Sequence, residues 1–521
     1  MKNLYFLIPF VLFSIICSAQ KINKDSIDAV KAFDKSVANR ITNAPPLILD
    51  GKYTPDWESI KQYQIPEWYK DAKFGIFIHW YLTVVPEYIT EWYGFYMYKR
   101  PEDLVKQNQQ NTEWATVYDH HKNTYGPQNI FGYKDLIPLF KAEKFNPDEW
   151  MELFLNCGAK YVMPVAEHHD GYPMYDCSFS IKNAANSGPK RDVIRELHSS
   201  ADKYGLKFGV SSHRAWNWKF YDAKPEFDIS EPNPDNWNLY WKPHDTESEP
   251  SNQFVTEQLH RTIELIDNYK PDILYFDAGV EGPRSEEFCK KIAAHYYNRG
   301  VEWGKEVAIN EKRAAFPSGT IVRDIERHRE DKVSYPFWQT DGTIGINWSY
   351  RPDDVYKSPE VLIHTLIDIV SKNGTFLLNI TPRADGAIPL RIKDILLEIG
   401  DWLQVNGEAI YETRPFRDFG EGLVNGTGEV LIFSEKDIRY TTKENTLYAI
   451  IMGWPSENVN LNLPVFKNVK KDARVSLLGY DQPLDFEIVS NRVSVSFPSL
   501  YPFQRACKYA WVLKFEGFEI E

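Results

Sequence analysis

The segment at residues 73–80, KFGIFIHW, is a short apolar run that ends on a histidine and a tryptophan. Similar runs return as YVMPVA at 161–166, ILYF at 273–276 and FLLNI at 376–380. Between them lie amphipathic helical patterns, such as residues 193–204, whose apolar residues fall on one helical face. Because short strands that alternate with helices form parallel sheets covered on both faces, this pattern predicts an α/β fold.

Two architectures satisfy this alternation, an open doubly wound sheet and a (β/α) barrel. Doubly wound sheets that bind nucleotides carry a glycine-rich GxGxxG or GxxxxGK loop after a strand. None of the strands predicted from the sequence is followed by such a loop. We therefore predict a TIM-like (β/α) barrel.

The helical periodicity stops after about Thr413, and short alternating strands separated by turn residues take over. These strands are predicted at residues 430–433, 446–452, 475–478, 492–497 and 509–515. The pattern indicates an antiparallel β-sandwich of about 100 residues. We thus expect a catalytic barrel domain at residues 20–412 and a β-sandwich domain at residues 413–521.

The first 19 residues have the pattern of a secretory signal peptide. Lys2 precedes an apolar run at residues 4–16, and Cys17-Ser18-Ala19 supplies small residues before a cleavage site after Ala19. The run is too short to span a bilayer and no later run is long enough, so the mature chain is expected to have no transmembrane segment. We expect an exported protein, periplasmic or extracellular, whose cleavage-site sequence is typical of bacteria.

The composition excludes several classes of protein. The 521 residues include 60 Lys and Arg against 73 Asp and Glu, a formal charge of −13, and nucleic acid is therefore not an expected partner. A single hydrophobic core stops growing near ~250–300 residues, which favours two domains. The five cysteines match no zinc-binding spacing and are too few for a disulfide scaffold.

Polar residues follow four of the predicted strands at the point where each strand ends. They are His79, the segment EHHDG at 167–171, the segment SSHR at 211–214, and Asp277. Packing alone explains a single buried histidine, but in a (β/α) barrel the residues just past the carboxyl ends of the strands form the active site. The four polar strand ends therefore predict one site.

His168, His169 and Asp170 raise the question of a metal site, since imidazole and carboxylate are common ligands. Neighbouring residues on a strand end point to opposite sides, however, so His168 and His169 are not expected to share one ion. The chain also lacks an HExxH pair on a helix. We therefore expect no metal and no cofactor.

Asp277 is the best-defined single candidate. It follows the apolar residues 273–276 and precedes Ala278-Gly279, which leave space beside its carboxylate. A carboxylate at such a position acts as a nucleophile or as a base. A retaining glycosidase needs a second carboxyl group about 5–5.5 Å away, with a raised pKa, to protonate the leaving oxygen. The segment at 321–330 offers Asp324, Glu326 and Glu330 for this role.

Taken together, these motifs resemble those of the alpha-L-fucosidases of glycoside hydrolase family 29, from about residue 57 to residue 415. The matching stretches, in order, are KFGIFIHW at 73–80, EWY at 91–93, EHHDG at 167–171, YGLKFG at 204–209, LYFD at 274–277, NGTFLLNI at 373–380 and WLQVNGEAIY at 402–411. The order and spacing of these stretches make the resemblance specific.

The resemblance implies a retaining, double-displacement mechanism without a metal. Asp277 matches the family's nucleophilic aspartate, and Glu326 looks like its acid/base, with Glu330 and Glu311 as rivals. The residues implied to bind the sugar are His79, Glu91, Trp92, His168, His169 and Arg313. His213, on a strand end where many members carry a tyrosine, is a further substrate-binding candidate, and Trp80 joins Trp92 as a candidate wall of the sugar pocket.

The expected substrates are fucosylated oligosaccharides or glycoconjugates, which lose a terminal fucose. An alpha-L-galactosidase on the same scaffold and a glycan-binding protein without catalysis stay open as alternatives, as does a metal-dependent hydrolase that uses His168, His169 and Asp170. Glu167 replaces a frequent lysine of the family and His328 a common glycine, and we expect both to alter the rim of the site. The sequence carries no indication of an oligomeric state.

Overall fold

The computed structural model describes residues 8–105, 112–277, 284–423, 431–456, 458–462, 466–489 and 492–520, with side chains from residue 25 onward except at positions 467 and 520. Part of one predicted segment and the whole of another lie outside these ranges. Residues 1–7 of the expected signal peptide lie outside the described residues, and so does Ala278-Gly279.

Eight parallel strands close a barrel. They are β1 Phe74–Ile78, β2 Tyr161–Glu167, β3 Lys207–Ser212, β4 Ile273–Phe276, β5 Ala308–Glu311, β6 Val322–Asp324, β7 Trp338–Thr343 and β8 Gly374–Ile380. Each strand pairs with the next, and β1 pairs with β8. Nearly all of their residues are buried, because side chains fill the barrel interior and helices cover its outside.

Helices connect and surround these strands. In the described chain they are α1 Ile8–Asn43, α2 Trp57–Ile60, α3 Glu67–Ala72, α4 Tyr93–Tyr96, α5 Pro101–Val105, α6 Val117–Thr124, α7 Pro147–Asn156, α8 Val193–Tyr204, α9 Asn217–Phe220, α10 Trp237–Tyr240, α11 Asn252–Tyr269, α12 Ser285–Trp303, α13 Pro359–Ser371 and α14 Leu390–Asn406. Local sequence sets their ends. In α8 the Asp192 carboxylate accepts a hydrogen bond from the backbone N–H of Arg195 at 3.0 Å, and Gly205 ends the helix at a φ of 70°.

Two antiparallel sheets follow the barrel. Their strands are β9 Arg414–Glu421, β10 Ile438–Lys443, β11 Thr446–Ile451, β12 Val459–Leu461, β13 Phe466–Leu477, β14 Pro483–Leu484, β15 Phe486–Val489, β16 Arg492–Val495 and β17 Trp511–Ile520. One sheet has the order β14-β13-β17-β11-β10-β9 and the other β12-β16-β15. One apolar cluster joins residues of both sheets, including Tyr440 and Leu513 of the larger and Leu461 and Val493 of the smaller.

The predicted (β/α) barrel followed by an antiparallel β-sandwich is therefore confirmed. The strand predicted at 430–433 is wrong: residue 430 lies outside the described residues, residues 431–433 form no strand, and Ile432 is exposed. The domain limits at residues 19/20 and 412/413 stay predictions. In the structure, α14 ends at Asn406 and the first strand of the larger sheet begins at Arg414.

The N-terminal helix α1 packs on the outside of the barrel. Phe33 contacts the rings of Trp237 and Trp241 edge-on, with ring centroids 5.7 and 5.1 Å apart, and Asp34 forms an ion pair with Lys242. The helix runs through the predicted cleavage site after Ala19, so cleavage stays a prediction. No helix within the described residues combines the length and the apolar character that crossing a membrane requires.

We predict that Gly75→Ala destabilises the barrel. Gly75 of β1 lies opposite Tyr161 of β2, and a methyl group at Gly75 would overlap the Tyr161 ring. That ring is held by hydrogen bonds from its hydroxyl to Gln339 at 3.1 Å and with Thr375 at 3.3 Å. Overpacking of this kind costs about 1–3 kcal/mol, so a thermal melt should show a lower midpoint.

Gly342→Ala is the matched control for this substitution, because a methyl group on β7 would meet the edge of the Phe376 ring at 3.2 Å. Its midpoint should fall less than that of Gly75→Ala. Equal midpoints for Gly75→Ala and the unaltered protein would contradict the packing argument.

Candidate active site

A cavity of about 240 Å³ opens at the carboxyl ends of the barrel strands. Its lining residues are His79, Glu91, Trp92, His168, His169, His213, Trp216, Asp277, Lys312, Arg313, Glu326 and Trp348. All nine site residues predicted from the sequence are among them, whereas their roles stay predictions. The strand-end pattern thus locates the site, since the barrel brings distant strand ends to one face.

Three of the lining residues escaped the sequence reasoning: Lys312, Trp216 and Trp348. A signal for Lys312 was present, because it directly follows Glu311, the last residue of β5, and so obeys the same strand-end rule. Trp216 and Trp348 lie in long connections after β3 and β7, where no periodic pattern singles them out.

Two residues that were predicted at the wall or the rim of the site, Trp80 and Glu167, lie elsewhere. Trp80 does not line the cavity; it is 2% exposed, packs against Phe145 and Trp150, and donates a hydrogen bond to the carbonyl of Arg383. Glu167 does not lie at the rim either, since it is buried at the end of β2.

Lys312 is the centre of the charged part of the site. Its ammonium nitrogen lies 2.5 Å from Oδ1 of Asp277, 3.0 Å from Oδ2 of Asp341 and 3.3 Å from Oε2 of Glu326. The four residues come from four different parts of the barrel: the ends of β4 and β5, the loop after β6, and β7. One buried cation therefore gathers three carboxyl groups.

Asp277 also faces two histidines through its second oxygen. Oδ2 lies 3.5 Å from Nδ1 of His213 and 3.6 Å from Nε2 of His169. The His169 ring is oriented by its Nδ1, which donates a hydrogen bond to the backbone carbonyl of His213 at 2.9 Å. The second ring nitrogen of His213, Nε2, lies 2.6 Å from the Ser211 hydroxyl.

The pKa of Asp277 reflects two opposing effects. Burial alone would raise the pKa, but the charge of Lys312, which also donates a hydrogen bond to Oδ1, outweighs it and holds the pKa well below its usual range. Asp277 is therefore ionised at neutral pH. An ionised carboxylate with a free oxygen in a cavity can attack an electrophilic carbon.

The pKa of Glu326 moves in the opposite direction. Burial against the cavity raises it, Asp341 and Asp277 add to the rise, and Lys312 opposes it from 3.3 Å. Its side chain remains 43% exposed, so protons can reach it from solvent. A carboxyl group with a raised pKa beside an ionised one is the arrangement that divides the tasks of acid and nucleophile.

The other carboxyl groups proposed for the acid/base role are engaged elsewhere. Glu311 accepts hydrogen bonds from the backbone N–H groups of Arg313 at 2.6 Å and Ala315 at 3.2 Å, which shape the loop after β5. Glu330 forms an ion pair with Arg323. Asp324 accepts a hydrogen bond from the side chain of Gln339 at 2.8 Å.

The histidines of the cavity are neutral at pH 7. Burial lowers the pKa of His79 to about 3, and it also lowers the pKa values of His168, His169 and His213. The Nδ1 of His79 donates to Oδ1 of Asn379 at 2.8 Å, which leaves its Nε2 as an acceptor. Neutral imidazoles of this kind can donate to or accept from sugar hydroxyls.

Aromatic rings complete the wall of the cavity. Trp92 lies against His169, with ring centroids 5.0 Å apart, and meets Trp216 edge-on at 5.5 Å. Trp348 lies 5.0 Å from the ring of His79. The cavity thus combines ionisable groups with flat apolar surfaces, as a pocket for a sugar ring requires.

Among the residues that the structure describes, two groups of side chains have the spacing to hold a metal ion: His79, His168 and His213, and His169, His213 and Asp277. His168 and His169 fall into different groups, as expected, although their rings do not point to opposite sides of the strand end. β2 ends at Glu167, the turn that follows brings both rings to the cavity, and their centroids are 4.3 Å apart. Asp170 stays outside the cavity and accepts hydrogen bonds from the Tyr133 hydroxyl and the Tyr172 backbone N–H.

A buried network of four charges supports the strand ends that carry these histidines. Arg261 donates to both oxygens of Glu167, at 2.9 and 3.0 Å, and to Glu257 at 2.6 Å. Arg214 lies 3.4 Å from Glu167 and 3.3 Å from Glu257. Since Glu167 precedes His168 and Arg214 follows His213, this network joins the ends of β2 and β3.

The chain is similar to known proteins along most of its length. A model of the alpha-L-fucosidase family matches residues 42–408, and a model of the alpha-L-fucosidase C-terminal domain matches residues 433–516. Human plasma alpha-L-fucosidase is 31% identical over 475 residues, which cover 89% of this chain and 92% of that protein. Rat tissue alpha-L-fucosidase is 29% identical, with 89% of this chain and 92% of that protein covered.

Solved structures agree with this comparison. The crystal structure of Thermotoga maritima alpha-fucosidase in complex with fucose has a TM-score of 0.69 and 30% identity, and the match covers 89% of this chain and 99% of that one. The same Thermotoga enzyme in complex with a mechanism-based inhibitor has a TM-score of 0.70 and 29% identity over equal shares.

We predict that Arg261→Met lowers the stability of the barrel strongly. The substitution removes the cation that contacts both Glu167 and Glu257 most closely, and breaking a buried ion pair costs about 3–5 kcal/mol. The control is Lys203→Met on α8, which removes the exposed ion-pair partner of Asp148. The melting midpoint of Arg261→Met should fall well below that of this control. Similar midpoints for the two variants would contradict a supporting role of the network.

Proposed function

The chain belongs to the alpha-L-fucosidase family of glycoside hydrolases, and we propose that it is a retaining exo-enzyme that hydrolyses terminal alpha-L-fucosyl residues by double displacement. The observation that carries this proposal is the shared contact of two carboxyl groups with Lys312. Asp277 is the proposed nucleophile and Glu326 the proposed acid/base.

The separation of the two carboxyl groups supports a retaining mechanism. One oxygen of Asp277 and one of Glu326 contact the same nitrogen of Lys312 at 2.5 and 3.3 Å, so these oxygens lie at most 5.8 Å apart. Retaining enzymes place their carboxyl groups about 5–5.5 Å apart, whereas inverting enzymes need ~6.5–9.5 Å to admit a water molecule.

In the first step, Asp277 attacks the anomeric carbon while Glu326 gives its proton to the departing glycosidic oxygen. The glycosidic bond breaks, and a covalent fucosyl-enzyme and a free aglycone alcohol form. In the second step, Glu326 takes a proton from water, whose oxygen attacks the anomeric carbon and releases Asp277 as a carboxylate. Fucose leaves with its original anomeric configuration.

The pKa directions suit these tasks. A nucleophile has to be ionised, and the pKa of Asp277 is held well below its usual range despite its burial, because Lys312 lies beside it. An acid/base has to hold a proton at the start of the cycle, and burial raises the pKa of Glu326. Once a fucosyl group neutralises Asp277, one negative neighbour of Glu326 is lost, which favours Glu326 as a base in the second step.

The size and lining of the cavity suit one terminal sugar. Its volume of about 240 Å³ lies below the ~300–1,000 Å³ of pockets for larger ligands, so a single sugar ring is the natural occupant. We propose that His79, Glu91, His168, His169, His213 and Arg313 bind sugar hydroxyls. Trp92 and Trp348 offer apolar faces to the ring and its methyl group.

We further propose that the enzyme acts outside the cytoplasm on fucosylated oligosaccharides or glycoconjugates. The support is the pattern of residues 1–19, a charged start, an apolar run and small residues before Gln20. An exported enzyme can reach glycans that carry terminal fucose outside the cytoplasm.

We predict that Asp277→Ala and Glu326→Ala each remove at least about 10²–10⁴-fold of the turnover of an aryl alpha-L-fucoside, as loss of a catalytic group does. Azide should restore turnover of Glu326→Ala on an activated substrate, since a small anion needs no general base for attack on the intermediate. Glu330→Ala is the matched control, because it removes a carboxylate four residues away that pairs with Arg323, and it should retain near-normal turnover.

Several results would contradict these assignments. Full activity of Glu326→Ala would exclude it as the acid/base, and full activity of Asp277→Ala would exclude it as the nucleophile. Faster hydrolysis of the aryl alpha-L-galactoside than of the fucoside would favour the galactosidase alternative. Binding of fucose without hydrolysis of any fucoside would favour a glycan-binding protein.

We predict that Lys312→Met moves both limbs of the pH profile of kcat/KM to higher pH. Without the ammonium group, burial raises the pKa of Asp277 with less opposition, so the ionised nucleophile appears only at higher pH. The pKa of Glu326 rises as well, because Lys312 lowers it in the unaltered enzyme, so its proton is retained to higher pH. Lys312→Arg keeps the charge and should keep both limbs near their original positions.

A Lys312→Met enzyme with reduced turnover but an unshifted profile would contradict this account of the charge. Such a result would mean that Lys312 acts on the sugar rather than on the two carboxyl groups.

A further inference from the structure

The cavity also contains three side chains with the spacing of a metal-binding site. The hydrolysis of a fucoside does not need a metal there. His169, His213 and Asp277 each offer one ligating atom, and these three atoms lie within 4.8 Å of one another. The two histidines are 3% and 1% exposed. Two imidazoles and one carboxylate form a donor set that divalent transition metals such as Zn²⁺ prefer.

Two of the three distances between the ligand atoms suit tetrahedral coordination. Oδ2 of Asp277 lies 3.5 Å from Nδ1 of His213 and 3.6 Å from Nε2 of His169. Zinc bonds to nitrogen and oxygen of ~2.0–2.2 Å place tetrahedral ligands about 3.3–3.6 Å apart. These two contacts are too long for hydrogen bonds but have the length of tetrahedral edges.

The two ring nitrogens that face Asp277 present lone pairs. His169 uses Nδ1 to donate to the backbone carbonyl of His213, so in the neutral ring Nε2 is unprotonated. Nε2 of His213 lies 2.6 Å from the Ser211 hydroxyl, and the tautomer that donates there has an unprotonated Nδ1. That Nδ1 is buried and has no hydrogen-bond partner among the described residues. Partners on the far nitrogen fix the tautomer of metal-binding histidines in the same way.

Asp277 keeps one carboxylate oxygen for an ion. Asp277 meets Lys312 through Oδ1, which leaves Oδ2 for an ion, and Lys312 is itself shared with Asp341 and Glu326.

We propose that His169, His213 and Asp277 form an inhibitory site for a divalent transition-metal ion, with Zn²⁺ as the probe. An ion held there binds Oδ2 of Asp277 and the two imidazoles, all of which face the sugar. It therefore prevents Asp277 from attacking the anomeric carbon. The inhibition rests on the proposed function of Asp277, whereas binding of the ion does not.

The test is a calorimetric titration of the tag-free protein with Zn²⁺ after dialysis against EDTA. We expect one ion per chain, loss of aryl fucosidase activity in step with occupancy, and recovery with EDTA. Fucose should raise the apparent dissociation constant for Zn²⁺, because the two compete for one cavity. Cobalt(II) in place of zinc should give the intense visible absorption of a tetrahedral ion.

His213→Tyr removes one ligand and should weaken Zn²⁺ binding at least as much as the ~10–100-fold caused by loss of a partner of a ligand. His260→Asn on α11 is the matched control, because it removes a partly buried histidine outside the cavity, and it should bind Zn²⁺ like the unaltered protein. Measuring binding directly separates the metal site from any effect of His213 on turnover.

Three results would overturn the proposal: no binding of Zn²⁺, equal binding by His213→Tyr and the unaltered protein, or activation by added Zn²⁺. Binding of Zn²⁺ through His213 by a protein that hydrolyses no fucoside would leave the metal site standing and refute the proposed function instead.

Discussion

The contact between the ammonium group of Lys312 and the carboxylate of Asp277, at 2.5 Å, is the interaction on which the rest of the site depends. Asp277, Asp341 and Glu326 all contact this one cation, and a single positive charge cannot keep all three carboxyl groups ionised. The nearest of them, Asp277, has its pKa held low, whereas the pKa values of Glu326 and Asp341 are raised. Position relative to one lysine thus separates the proposed nucleophile from the proposed proton donor.

The barrel supplies the rigidity that this division requires. Asp277, Lys312 and Asp341 belong to strands β4, β5 and β7 or directly follow them, so backbone pairing in the closed sheet fixes their spacing. On the other side of the cavity, the buried contact between Glu167 and Arg214 joins the strand ends that carry His169 and His213. The barrel strands therefore position both the charged groups in the cavity and the buried charges that support it.

Much of the site was predictable because its residues obey a rule of the fold. Polar residues that follow apolar strands identify His79, His169, His213 and Asp277 from the amino-acid sequence alone. The rule fails where position depends on loops or tertiary packing: Trp216 and Trp348 lie in long connections, and Trp80 turns into the core although it follows His79. The orientation of both His168 and His169 toward the cavity also depends on a turn after β2, whose geometry strand alternation does not describe.

The central claim is that Asp277 becomes covalently fucosylated during turnover, and trapping of that intermediate tests it most directly. A 2-deoxy-2-fluoro-fucosyl fluoride slows the second displacement more than the first, so the fucosyl-enzyme accumulates, and mass spectrometry of the digested protein locates the sugar. The account predicts one label per chain on the peptide that contains Asp277, and no label in Asp277→Ala. A label on another carboxylate, or turnover of the reagent without any label, would contradict it.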